Sequence, residues 1–259
     1  MYHTLHNILS DKTGNEIFTL FSFWHFFYIA LAIAAITVTL ITLRKKSAQS
    51  KKKAPYIFIN IAFGLYIADL FLMPLAYGHI EIEKLPFHAC TAMCVACFLS
   101  YRVKFLENIR TSLVLIAFIS NIAYLLYPAG VMWYEIHPLS YRVVQTLMFH
   151  SVMTVFCILY LIYEREKISI KNCHIDLLVT AILTVWALLG SYTYSGSEGG
   201  YDHLFNWFFV IRDPFNAIPE SVAPFIAPFI NVILFFAGEF CIRLIISCIS
   251  RSLCKKRDH

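Results

Sequence analysis

Phe18 to Leu43 reads FTLFSFWHFFYIALAIAAITVTLITL, and Arg44 to Lys53, RKKSAQSKKK, follows at once. The first stretch contains no Asp, Glu, Lys or Arg, and His25 is its one imidazole. As a helix rising about 1.5 Å per residue it is long enough to cross the roughly 30 Å hydrocarbon layer of a bilayer. It is too long for the h-region of a cleavable signal, and the residues before it, Met1 to Glu16, lack that pattern. The six basic residues behind it mark where the chain leaves the membrane.

Working outward, the same alternation recurs. Apolar runs lie at about 18–43, 55–78, 86–101, 111–128, 142–163, 175–195 and 221–249, the third short and the last carrying Pro224 and Pro228. Of the 259 residues 59% are hydrophobic and 14% charged, against about 25% charged in soluble domains. A water-soluble core has no use for so much apolar surface. The expected fold is all-α: a polytopic transmembrane helix bundle of about seven spans, forming a single domain over 1–259. The chain shows no internal repeat.

Basic residues set the orientation. One set of connections carries Arg44, Lys45, Lys46 and Lys51 to Lys53, then Arg102, Lys104 and Arg110, then Arg165, Lys167 and Lys171, and finally Arg251 and Lys255 to Arg257. The opposite set has Lys12, Lys84, Arg142 and Arg212, with Arg243 near an inner helix end. This bias places the C-terminus in the cytoplasm and, for an odd number of spans, the N-terminus outside. RKKSAQSKKK reads as a topology determinant ahead of an anionic-lipid site. Because the positive charge sits at span ends, a nucleic-acid stripe is excluded.

The cysteines are Cys90, Cys94, Cys97, Cys157, Cys173, Cys241, Cys248 and Cys254. Most lie in apolar segments, where the thiol behaves as a small hydrophobe, and they do not form a secreted disulfide framework. Cys90, Cys94 and Cys97 share one helical face, which suits a soft metal or thiol redox chemistry but equally a close helix contact. No metal site and no cofactor is expected.

Ionisable groups inside a span are functional hypotheses. Counted from the outer helix ends at about 1.5 Å per residue, His25 lies about 10 Å deep, Asp69 about 13 Å, Asn121 about 10 Å and His150 about 12 Å. His88 and Cys90 lie about 3–6 Å deep, just after Pro86. Residues of five helices thus share a layer in the outer half, whereas Glu239 stands alone in the inner half. Two readings follow: a shared polar cavity, or separate groups that each satisfy a carbonyl or join two helices.

Leu85 to Cys90, LPFHAC, is chemically the most suggestive segment. Proline suits a first helical turn, and the helix N-terminus behind it favours a thiolate at Cys90. Two residues apart on a helix, His88 and Cys90 diverge by about 200°, so a base for Cys90 should come from another helix, with His150 at a fitting depth. A Cys–His pair serves covalent acyl transfer; a structural cysteine is the alternative. The outer connection Gly196 to Ser221, GSEGGYDHLFNWFFVIRDPFNAIPES, is too aromatic for a solvated linker. It reads as a re-entrant cover with Asp202, His203 or Asn206 turned inward, or as a loop resting on headgroups.

At these residues the chain resembles the YwaF-like bacterial integral membrane proteins and their eukaryotic relatives, the transmembrane protein 164 acyltransferases. The resemblance rests on FSFWHFFYIA (Phe21–Ala30), LPFHAC, LLYPAGV (Leu125–Val131), QTLMFHS (Gln145–Ser151) and FNWFFVIRDP (Phe205–Pro214), in order over nearly the whole chain. It implies acyl transfer on membrane phospholipids through a thioester on Cys90. His150 as general base then follows from depth and chemistry. His88 or Asn121 would stabilise the oxyanion, Asp69 would orient a histidine, and His25, Asn121 and Asn206 would contact substrate. The fifth-helix and Asn-aromatic motifs match the family imperfectly. The alternative is a transporter or lipid-binding protein using the buried His and Asp groups without covalent chemistry. A third reading, thiol oxidoreduction, would need both Cys90 and Cys94. Short loops fit a bacterial plasma membrane.

Overall fold

The computed structural model describes residue 9 and residues 16–78, 82–132, 135–194, 206–211, 217–219 and 221–255. Among these the regular structure is helical, with no strand. In order come α1 (Phe23–Arg44), α2 (Ala48–Tyr77), α3 (Ala89–Ser100), α4 (Lys104–Leu126), the single turn α5 (Ala129–Met132), α6 (Tyr141–Tyr163), α7 (Cys173–Thr193) and α8 (Ala223–Lys255). Six of them are long and apolar enough to cross a membrane. The seventh apolar segment, α3, has 12 residues and rises only about 18 Å.

The helix starts differ from the sequence reading where polar residues begin a helix. α2 opens at Ala48, because the Ser47 side chain accepts the Ser50 amide at 3.2 Å and caps it. Lys51 to Lys53 therefore ride on the first turns of α2. α4 likewise opens at Lys104, earlier than its apolar run. At the far end of α2 the helix closes on Gly78, whose φ of 79° lets its amide reach Pro74 O at 2.8 Å. That conformation is one glycine adopts without steric cost.

Burial is inverted relative to a soluble protein. On α1 the buried residues are His25, Tyr28 and Ala32, while Phe23, Val38 and Ile41 are 62–74% exposed. Only a bilayer makes that arrangement favourable.

Two compact units divide the chain. The first comprises residues 1–81 and 120–163, and α6 is its hub, with α1 and α2 packed on it. Phe18, Tyr28, Leu125, Val131, Ile136, Val143 and Leu147 form an apolar cluster there. Polar links hold its edges: Tyr28 Oη donates to Pro138 O at 2.8 Å, and the Phe18 amide to Ile136 O at 2.9 Å. Arg142, assigned by sequence to the outer side, is buried in the first turn of α6.

The second unit comprises residues 82–119 and 164–259, centred on the α7–α8 contact. Arg243 of α8 and Asp176 of α7 form a two-pronged ion pair, with Nε on Oδ2 and Nη2 on Oδ1. Both residues are at most 1% exposed. Arg243 also donates to Ser169 O at 3.0 Å and to Ser112 Oγ at 3.3 Å. Glu239 does not stand alone, as its sequence position suggested: Thr180 Oγ1 donates to its Oε1 at 2.8 Å. Hydropathy missed this because the partners belong to different apolar runs.

α3 is closed by cations. Arg102 Nη1 donates to Phe98 O at 2.7 Å, and Arg110 donates from Nε to Ser100 Oγ at 3.0 Å and from Nη2 to Ser100 O. Guanidinium groups suit the negative end of a helix. Arg110, expected in a basic loop, is instead a buried cap.

Breaking the buried pair strands one charge, so Arg243→Ala should cost about 3–5 kcal/mol of stability. The paired replacement Asp176→Leu with Arg243→Met should recover most of that loss, because no charge is then left unmatched. Thermal unfolding in detergent micelles checks both variants.

Candidate functional site at the third helix

The LPFHAC turn belongs to the second unit, where aromatic side chains pin it in place. Two short backbone bonds, Leu85 N to Ile82 O at 3.0 Å and Phe87 N to Leu85 O at 2.8 Å, fold the chain after Lys84. Trp186 of α7 donates its indole N–H to Pro86 O at 2.7 Å. The Phe87 ring lies between Trp186, at 4.9 Å and 25°, and Trp207, at 4.8 Å and 30°, with Tyr194 at 5.7 Å. Gly190 makes the seat: a Cβ there would come within 2.4 Å of the Phe87 ring.

His88 is the N-cap residue of α3, in extended conformation, and makes no side-chain cap hydrogen bond. Its ring stands edge-on to Trp207 at 6.4 Å. The helix begins with Ala89, and its first backbone bond is Ala92 N to His88 O at 2.8 Å. Cys90, 9% exposed, is thus the second residue of α3, in the turn whose amides lack helical acceptors. An anion or a polarised carbonyl is favoured at such an end. Cys94 and Cys97, a Cys-x-x-Cys pair one turn deeper, are both fully buried. Among the described residues no three His, Cys, Asp or Glu side chains are grouped to hold a metal.

Trp207 is placed by strained backbone. Phe208 and Phe209 have φ of 57° and 54°, a region that costs bulky residues of order 1–3 kcal/mol each. Asn231 of α8 fixes both by donating from Nδ2 to Phe208 O at 2.6 Å and to Phe209 O at 2.9 Å. Asn206 Oδ1 accepts the Ile211 amide at 2.9 Å. That bond holds this turn. Asp202 and His203 lie outside the described residues.

The remaining sequence candidates belong to the first unit. Tyr124 stacks on the His150 ring at 3.8 Å and 8°, and His150 Nδ1 lies 2.7 Å from Thr146 O. A carbonyl accepts only, so Nδ1 carries the proton and Nε2 the lone pair of the neutral ring. His25 has both nitrogens engaged: Nε2 donates to Leu125 O at 2.9 Å, and Nδ1 accepts the Phe21 amide at 3.1 Å. Asp69 is buried and bonded to the Tyr141 hydroxyl. Asn121 is fully buried in α4. His25 and His150 thus meet the same stretch of α4, through Leu125 and Tyr124.

Sequence reasoning missed Trp186, Gly190 and Asn231. Their signals were a Trp and a Gly four residues apart on one helix face, and an Asn inside an apolar run. Gly190→Ala should displace Phe87 and cost about 1–3 kcal/mol, as overpacking does. Shrinking the ring with Phe87→Leu in the same chain should relieve it. A double-mutant cycle on thermal stability, with Trp186 fluorescence as local reporter, checks the coupling.

No curated protein and no solved structure matches the chain. The model of the TMEM164 family matches residues 20–246, from just before α1 into α8 and across both units. Five motifs in order and this match over most of the helical chain agree: the protein is a multi-pass membrane protein of the TMEM164 family.

Proposed function

We propose that this protein is a lipid acyltransferase of the outer half of a bacterial plasma membrane, with Cys90 as its nucleophile. The observation that carries the reading is the placement of Cys90: second residue of α3, behind a turn pinned by Trp186 and the Phe87 stack. Short loops and strong basic bias support the choice of membrane.

The chemistry balances in two steps. The Cys90 sulfur attacks the ester carbonyl of a phospholipid; the C–S bond forms, the C–O bond breaks, and the thiol proton leaves with the lysolipid alkoxide. A lysophospholipid hydroxyl then attacks the thioester; a new C–O bond forms, the C–S bond breaks, and the hydroxyl proton returns to the departing sulfur. His150 is assigned the proton relay from its depth in the sequence and from imidazole chemistry. General acid–base help of this kind is worth about 10²–10⁴-fold. The first-turn amides of α3 are the natural oxyanion donors, with His88 beside them. A covalent intermediate lets one lipid leave before the next arrives. Asp69 is assigned the orientation of a histidine.

A non-covalent transporter or binding protein makes the opposite mutational ranking. Acyl transfer requires that Cys90→Ala abolish, and His150→Ala slow by about 10²–10⁴-fold, a hydroxylamine-sensitive mass increase of one acyl chain. Intact-protein mass spectrometry after incubation with defined phospholipids reads this directly. Retained function in Cys90→Ser, with severe loss in Asp69→Asn, would establish the non-covalent reading instead.

A further inference from the structure

The α7–α8 contact contains a second polar site, independent of Cys90. Its residues form two rungs between facing helices: Asp176 with Arg243, and, one turn along each helix, Thr180 with Glu239. Asp176, Thr180 and Glu239 are fully buried and Arg243 is 1% exposed. The ladder continues to the 165–172 connection through Arg243 and Ser169 O, and inward through Thr184 Oγ1, which donates to Thr180 O at 2.9 Å.

Charge does not balance within it. The Arg243 guanidinium is matched by Asp176, and Ser112 Oγ and Ser169 O accept two more of its N–H groups. The charged groups acting on Glu239 are Asp176 from α7 and Arg243 from its own helix. From α4, Ser112 faces Arg243, and Ile119 lies against Gly238. With both carboxyls ionised the cluster would hold one negative charge too many in a low-dielectric interior, where an unmatched ion is strongly disfavoured. Meanwhile Glu239 Oε2 is buried and, among the described residues, has no hydrogen-bond partner.

We propose that Glu239 is a proton-binding site, its Oε2 holding one proton that exchanges with the side of the membrane bearing the 165–172 connection. A proton needs a single lone pair, which is what Oε2 presents, whereas a metal cation needs several converging oxygens. Arg243, lying between the site and the connection, repels metal cations on the same path. Release of the proton gives Arg243 a second carboxylate four residues away on its own helix. The site therefore couples proton occupancy to the pairing of α7 with α8.

Infrared difference spectroscopy of the full chain in lipid, at neutral pH, tests this. The wild type should show a carbonyl-stretch band of a protonated carboxylic acid that shifts in D₂O and is lost in Glu239→Gln, which keeps an acceptor for Thr180. Thr180→Val should move that band without removing it, since it deletes only the bond to Oε1. Identical wild-type and Glu239→Gln spectra would overturn the proposal, as would a band that does not exchange in D₂O. A band abolished by added sodium chloride would reassign the oxygen to a metal cation.

Discussion

Inside a bilayer the backbone can satisfy its hydrogen bonds only by closing them within each helix. Lipid tails are as apolar as leucine, so burial of apolar surface does little to choose one helix partner over another. Specific side-chain contacts must do so. In the second unit this falls to the Arg243–Asp176 pair, which also reaches Ser169 and Ser112 and so draws three separate chain segments together. In the first unit the equivalents are neutral: His25 on Leu125 O and Tyr28 on Pro138 O. A further contact joins the Asp69 carboxyl of α2 to the Tyr141 hydroxyl of α6.

The spans were legible because hydropathy acts locally. A run such as Phe18 to Leu43 must be placed in the membrane whatever its neighbours do, and the basic residues behind it mark where it emerges. Helix starts were less legible, since hydropathy is silent about where a polar helix begins. Ser47 extends α2 through the lysines by a capping bond. Arg110 looked like a loop cation because its own run begins after it, yet it caps a neighbouring helix.

The candidate site divides along the same line. LPFHAC announced itself, because a proline, a histidine and a thiol occur within six residues, although the helix starts at Ala89, after Pro86 instead of around it. What pins that turn did not: Trp186 and Gly190 lie about a hundred residues further along, and the fit of a ring into a missing Cβ leaves only a faint trace in one sequence. Depth counting says nothing of which way a polar side chain faces. His25 shows the limit, since both its nitrogens are taken by protein groups. Glu239 shows the converse, gaining partners that counting from helix ends could not supply.

The short third helix has a consequence for the lipid itself. Its C-terminal end is anchored by Arg102 and Arg110, and 12 residues rise only about 18 Å against a hydrocarbon depth of roughly 30 Å. A helix this short reaches both surfaces only where the bilayer thins beside it, so on the reading proposed above the acyl donor is met within the leaflet. A molecule arriving from water must first dissolve in the membrane, whereas one already in the leaflet arrives by lateral diffusion. Selection by partitioning thus precedes any selection by shape.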